Sequence, residues 1–160
     1  MSWGTLVAAA LGAVVGVGST LLTDVIRSRR ESNHRWAETK RQVYVQTLVA
    51  FSQTHSRMVG AAFMGLPAAE RNNAVHRAYH DSPLHTDARS AIRELAITAP
   101  DAVFRLAGPV NDQLGIIREA LATNPGRADS AEYWQLVQPY YTSLEALQVA
   151  MRNDLRPSHR

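Results

Sequence analysis

Hydrophobic and polar positions divide the chain into a long apolar N-terminal run and a series of helical stripes. No side chain from Met1 to Thr23 carries a charge. The twenty residues from Trp3 to Leu22 are enough for a helix of about 30 Å, which is the thickness of the hydrocarbon core of a bilayer. The pattern therefore predicts a transmembrane helix over residues 1–26.

Three other interpretations of the apolar run fit less well. A dinucleotide-binding loop needs a third glycine after Gly16 and Gly18, and Leu21 stands at that position. A cleaved signal peptide needs a basic start and a small-residue cleavage site, but the run begins "MSWG" and leads directly into Asp24. A buried core helix would have a polar face, and none is visible in this run.

Apolar residues then recur at helical spacing along the rest of the chain. The first stripe predicts a long helix that continues the transmembrane helix and ends near Gly65 and Pro67. It consists of Tyr44, Leu48, Phe51, His55, Met58 and Ala62, widened by Val45, Val49, Val59 and Phe63. The next helical material covers "AAERNNAVHRAYH" and "DARSAIRELAIT", with an apolar face of Leu84, Ala88, Ala91, Ile92 and Leu95.

Two further stripes predict the last two helices. We expect Asp101 to cap the first of them and Asp129, with Glu132, to cap the second. Gly108-Pro109 and Pro139 predict a kink in each. The stripes are Val103, Leu106, Val110, Leu114, Ile117 and Leu121, then Tyr133, Val137, Tyr140, Leu144, Leu147 and Met151.

These patterns predict an all-α protein in which an N-terminal transmembrane helix continues into a four-helix antiparallel bundle. The expected parts are a transmembrane helix at 1–26, a basic juxtamembrane segment at 27–41 and a cytoplasmic helical bundle at 42–156.

The charge distribution predicts the orientation. The formal net charge of +3 belongs to residues 1–41, and the remainder of the chain is balanced. Basic flanks stay on the cytoplasmic side, so we expect a single-pass protein of the cell membrane with its N-terminus outside. The same residues would contact anionic lipid, while a balanced bundle argues against nucleic acid as a partner. The basic residues are Arg27, Arg29, Arg30, Arg35, Lys40 and Arg41.

A ladder of small residues runs along the predicted span. Ala8, Gly12, Gly16 and Thr20 recur every four residues, so that two helix backbones can approach closely. This spacing predicts a membrane association face and a homo-oligomer.

The juxtamembrane sequence "RWAETKRQVYVQTLVAF" carries Trp36, Lys40, Arg41 and Tyr44 at helical spacing. With "ELAITAPDAV" and the closing stretch Leu144–Leu155, it resembles a broad class of small single-pass membrane proteins of actinobacteria. The class has no established activity. The resemblance therefore implies an architecture and no catalytic residue.

Candidate chemistry is sparse. His76 and His80 lie one helical turn apart, and Asp81, His85 and Asp87 follow, which makes a weak metal-binding candidate. Arg77 stands where a zinc hydrolase has its glutamate. We therefore expect no metal, no cofactor and no enzymatic activity.

We interpret His55, inside the apolar stripe, as a core histidine hydrogen-bonded across the bundle. The chain has no cysteine.

The sequence thus favours a membrane-anchored bundle that acts by self-association or by binding an unknown protein partner. An alternative is a membrane effector that forms a leak or pore through its glycine-rich span. A weaker alternative is a metal-dependent enzyme using His76 and His80.

Overall fold

A computed structural model describes residues 35–80, 88–124 and 130–156. Within these ranges the chain forms five helices and no strand, which confirms the all-α prediction. The helices are α1 (35–62), α2 (Ala68–His80), α3 (Ala88–Thr98), α4 (Asp101–Thr123) and α5 (Ala131–Asp154).

The predicted transmembrane helix, residues 1–26, lies outside the described residues, as do residues 27–34 of the predicted juxtamembrane segment. Among the helices that are described, none combines the length and the apolar character needed to cross a bilayer. The chain separates into two compact units, Met1–Thr39 and Lys40–Arg160. Residues 35–39 of the first unit are helical, and the helical bundle belongs to the second.

Helix α4 contacts α2, α3 and α5. It runs antiparallel to α2, because Arg71 Nη2 donates to the carbonyl oxygen of Thr123 at 3.2 Å and Tyr79 Oη donates to Asn111 Oδ1 at 3.3 Å. The predicted α4 stripe is buried except for Leu106, which is half-buried. The largest fully buried side chains are Tyr44, Tyr140, Phe51, Met58, Leu95, Leu114, Ile117, Leu121, Leu147, Val75, Val110 and Val137.

Helices α1 and α5 also run antiparallel. Near one end Tyr44 bonds to Asp154, in the middle the His55 ring stacks on Tyr140, and near the other end Phe63 meets the edge of Tyr133. Position numbers rise along one helix as they fall along the other. Residues 52–62 of α1 and the turn residue Phe63 therefore lie beside residues 133–144 of α5.

The number of helices in the bundle differs from the prediction. Five are described where four were expected, because Ala68–His80 forms a helix of its own that buries Val75 and Tyr79. The turn before it contains Gly65 at φ +72°, in the left-handed region that favours glycine. That conformation lies in the connection between α1 and α2.

Both predicted N-caps are wrong by one residue. The cap of α4 is Pro100, whose carbonyl accepts from the backbone N–H groups of Val103 and Phe104, and Asp101 is the first helical residue. The cap of α5 is Ser130, whose Oγ accepts from the Tyr133 backbone N–H at 3.1 Å. A serine hydroxyl in extended backbone is a strong cap. The helices continue through Pro109 and Pro139, and the kinks predicted there stay predictions.

Part of the predicted α1 stripe is wrong as well. The spacing predicts Val45, Val49 and Phe63 on the apolar face, but all three are exposed. Thr47 and Thr54 are fully buried in their place. Thr47 Oγ1 donates to the Val43 carbonyl oxygen at 2.8 Å, which satisfies its hydroxyl and leaves its methyl group to pack.

Candidate functional site

The most distinctive surface of the described bundle consists of two uncharged stretches, one on α1 and one on α5, which lie side by side where residues 52–56 meet residues 140–144. Residues 42–56 of α1 and residues 133–144 of α5 contain no Lys, Arg, Asp or Glu. Their exposed residues, which we call the uncharged face, are Gln42, Val45, Gln46, Val49, Ser52, Gln53 and Ser56 of α1, and Trp134, Gln135, Gln138, Pro139, Tyr141 and Thr142 of α5.

Large apolar groups are exposed on this face. Trp134 is 56% exposed, Val45 is 55%, and Tyr141 and Val49 are each 43% exposed. Trp134 and Tyr141 lie seven residues apart, so both point to the same side of α5. Fully buried interface cores are typically depleted of charge and enriched in aromatic residues. The uncharged face has both properties.

Charged residues return at the ends of the face. Arg41 precedes and Arg57 follows the α1 stretch. On α5 Glu132 precedes its stretch, and Glu145 and Arg152 follow, beside residues 42–51 of α1. Glu132 is held ionised at the N-terminus of α5, because hydrogen bonds from its own backbone N–H and from the Ser130 hydroxyl lower its pKa.

An aromatic cluster lies beneath the face. The rings of His55 and Tyr140 stack with centroids 5.0 Å apart, and Tyr141 meets His55 edge-on at 5.8 Å. His55 is buried as predicted, but its Nε2 has no hydrogen-bond partner, so that atom does not make the predicted bond. Burial raises the pKa of Tyr140 to about 12, with the Ser52 hydroxyl acting in the opposite direction.

The stability of the bundle is expected to depend on pH through His55. Burial lowers the pKa of His55 from its ordinary value of 6.5, so the unfolded chain binds the proton more readily than the folded one. The contribution of His55 to the free energy of unfolding should therefore be fully present above about pH 7 and decline as the pH drops through about 6.5. His55→Phe keeps a ring in the cluster and should remove this part of the decline. Thermal unfolding of both proteins across this pH range tests it, and parallel curves would contradict it.

A second buried cluster joins the start of the bundle to its end. Tyr44 Oη donates to Asp154 Oδ2 at 2.6 Å, and Lys40 Nζ lies 3.1 Å from the same oxygen. The pKa of Tyr44 is raised above its usual range. Burial is the largest cause, followed by the hydrogen bond to Asp154 and then by the charge of Asp154. Lys40 and Tyr44 belong to the motif that carried the resemblance, and their contacts here are structural. We call this group the Tyr44–Asp154–Lys40 clamp.

The predicted metal-binding residues are described only in part. His76 is half-buried on α2 and the His80 ring meets the edge of Tyr79, while Asp81 lies outside the described residues. In the part of the chain that is described, no three His, Asp or Glu side chains form a group that could hold a metal ion. Arg35 and Arg41 are exposed. Ala8, Gly12, Gly16, Thr20, Arg27, Arg29 and Arg30 lie outside the described residues.

An open groove of about 500 Å³ separates α1 from α2 on the other flank of α1. Its walls offer two guanidinium groups but no carboxylate, hydroxyl or imidazole, so the lining contains no pair of groups for acid–base or nucleophilic catalysis. The lining residues are Arg57, Gly60, Ala61, Met64, Ala74, Arg77 and Ala78.

The described part of the chain is thus an α-helical bundle with an uncharged stretch on α1 and an uncharged, aromatic stretch on α5. No protein-family model, no curated protein and no solved structure matches the chain.

Proposed function

We propose that the protein is a membrane-anchored helical bundle that acts by protein–protein association. In this proposal residues 1–26 form a single transmembrane helix that continues into α1, the N-terminus faces outward and the bundle lies in the cytoplasm. The basic side chains of residues 27–41, other than Lys40 with its contact to Asp154, contact anionic lipid and fix the orientation. The ladder of Ala8, Gly12, Gly16 and Thr20 contributes a contact within the membrane.

The uncharged face is the observation that carries the proposal. Over seven exposed residues of α1 and six of α5 there is no charge, although Lys, Arg, Asp and Glu make up 19% of the chain. Exposed Trp and Tyr side chains are the residue types that contribute most energy at interfaces. A partner that covers this surface gains the burial of its rings and valines, and hydrogen bonds to its amide and hydroxyl groups offset the cost of removing those groups from water.

One experiment on the full-length chain tests anchor and surface together. Membranes carrying a tagged and an untagged copy are washed with carbonate and high salt, then extracted for pull-down. We expect the protein to remain in the washed membranes, because twenty apolar residues hold it independently of charge. We expect the tagged chain to retain a protein partner, and Tyr141→Glu to lose most of it.

Two variants serve as controls. Tyr141→Gln removes the ring without adding charge, so it should weaken retention less than Tyr141→Glu. Ile97→Glu places the same charge at an exposed isoleucine on α3, outside the face, and should retain the partner like the wild type. Release by salt alone would reject the anchor. Equal loss with Ile97→Glu and Tyr141→Glu would reject the face as the site.

A further inference from the structure

We propose that the groove between α1 and α2 binds an amphipathic helix of a partner protein, in which Asp or Glu residues flank an apolar stripe. The groove lies on the other flank of α1 from the uncharged face. The inference therefore adds a second binding surface and does not rest on the first. Three properties of the groove support it: the size of its side chains, the sign of its charge and its open shape.

Most of the residues that line the groove are small. Ala61, Ala74 and Ala78 each contribute one methyl group, and Gly60 has no side chain. A Cβ atom built at Gly60 would meet nothing beyond its own helix backbone within 4 Å, so the space next to this residue is open. The distance at which helices pack depends on the side chains at their contact. A partner helix can therefore lie close to α1 and α2 at this place and bury apolar side chains against them.

The ionic groups of the lining are all positive. Each wall carries one guanidinium group, that of Arg57 on α1 and that of Arg77 on α2, and the lining contains no carboxylate. Arg77 is exposed, and its Nε donates to the carbonyl oxygen of Asn73 at 3.4 Å. Among the described residues no carboxylate is paired with Arg77. Guanidinium groups bind carboxylates through strong, charge-assisted hydrogen bonds, so the walls are complementary to acidic side chains beside an apolar stripe.

The open shape of the groove favours a helix over a small molecule. Small-molecule sites bury most of the surface of their ligand, but here Met64 is 70% exposed and Arg77 is exposed. An amphipathic helix needs only one buried face, with anchors at positions i, i+3 or i+4, and i+7. The α1 wall from Arg57 to Met64 is about 10 Å long, or about two helical turns, which is the length of such a set of anchors.

A peptide selection on the full-length chain in detergent micelles tests the inference. The probe is a displayed library of peptides of about fifteen residues, long enough to form a helix. They carry leucine at the anchor positions and Glu, Gln or Lys at every flanking position. We expect the bound peptides to contain several-fold more Glu than Gln or Lys beside the leucine stripe. The best peptide with Gln in place of each Glu should bind about tenfold more weakly.

Filling the groove should remove the site and leave the fold intact. Gly60→Leu places a branched side chain in the open space, and leucine favours a helix more than glycine does. We expect the dissociation constant of the best peptide, measured by fluorescence anisotropy, to rise about tenfold. Gly115→Leu is the matched control, because a Cβ atom at this glycine of α4 also meets nothing within 4 Å. It should bind the peptide within about twofold of the wild type.

Reversing the charge of one wall should also weaken binding. We expect Arg77→Glu to raise the dissociation constant about tenfold at low salt and less at high salt, because salt screens exposed charges. A peptide with Lys in place of each Glu should in turn bind Arg77→Glu more tightly than the wild type. Arg105→Glu on α4 is the control. Arg105 is exposed and its Nε donates to the Asp101 carbonyl oxygen at 3.3 Å, which is the same kind of bond that Arg77 makes.

Four results would overturn the inference. A selection that yields no peptide, or peptides without a preference for Glu, would reject an acidic helix as the ligand. Unchanged binding by Gly60→Leu would reject the groove as its site. Displacement of the peptide by an anionic phospholipid added to the micelles would make a lipid headgroup the occupant. Loss of the peptide with Tyr141→Glu but not with Gly60→Leu would assign it to the uncharged face and leave the proposed function standing.

Discussion

Replacing Ile117 by alanine is expected to lower the free energy of unfolding by about 2–5 kcal/mol. Ile117 is 0% exposed and lies on the inward side of α4 among the largest buried side chains. Removing three carbon atoms there loses apolar burial and leaves a cavity that the packed helices fill only in part.

The neighbouring residue is the matched control. Ile116 is 52% exposed, so Ile116→Ala removes the same atoms from a solvated position and should change stability by about 0.5 kcal/mol or less. Urea unfolding followed by circular dichroism measures both variants. Equal losses at the two positions would contradict the placement of α4 in the core.

Replacing Asp154 by alanine is expected to cost about 2–3 kcal/mol, since a hydrogen bond to a charged group is lost and a buried donor is left without a partner. The donor is Tyr44 Oη, whose side chain is 2% exposed. Lys40 loses its carboxylate in the same step. Asp154→Asn keeps an acceptor for the tyrosine, so it should cost less.

A double-mutant cycle tests whether the loss arises in the clamp. In a Tyr44→Phe background no hydroxyl is left unpaired, so Asp154→Ala should cost about 1 kcal/mol less than in the wild type. Asp112→Ala, at an exposed aspartate of α4, should lie within about 0.5 kcal/mol of the wild type. The same cost for Asp154→Ala in both backgrounds would show that the clamp contributes nothing through Tyr44.

The sequence predicted the helices well because their burial follows the helical period. In α5 the residues Tyr133, Val137, Tyr140, Leu147 and Met151 are all buried, as their spacing indicates. The caps were placed less well. Asp129, Ser130 and Asp101 are all residue types that can cap a helix, and only the backbone conformation decides which one does.

The exposed surface of α1 was not predicted, because an apolar residue type does not by itself show that a side chain is buried. Val45 and Val49 border the apolar stripe, and their type suggested that they widen it. In the structure Thr47 and Thr54 occupy the inward positions instead, and the valines face outward. A signal was nevertheless present in the sequence, because fifteen consecutive residues of a helix, 42–56, carry no charge. A helix with one solvated side normally carries charge there.

The contacts of the Tyr44–Asp154–Lys40 clamp could not be predicted from the sequence for a different reason. Tyr44 and Asp154 are separated by 110 positions, and no local pattern pairs residues at that distance. Lys40 was assigned to a basic segment that orients the protein in the membrane. Its contact with Asp154 became visible only when α1 and α5 were placed side by side.

The position of Lys40 in the clamp has a consequence for proteolysis. It is the only lysine in the chain, and it lies next to the boundary between the two compact units. A lysine-specific protease therefore has one cleavage position, inside a helix and at a side chain engaged by Asp154. Cleavage there requires the helix to open locally, so the rate of a single cut measures how often the start of the bundle comes apart.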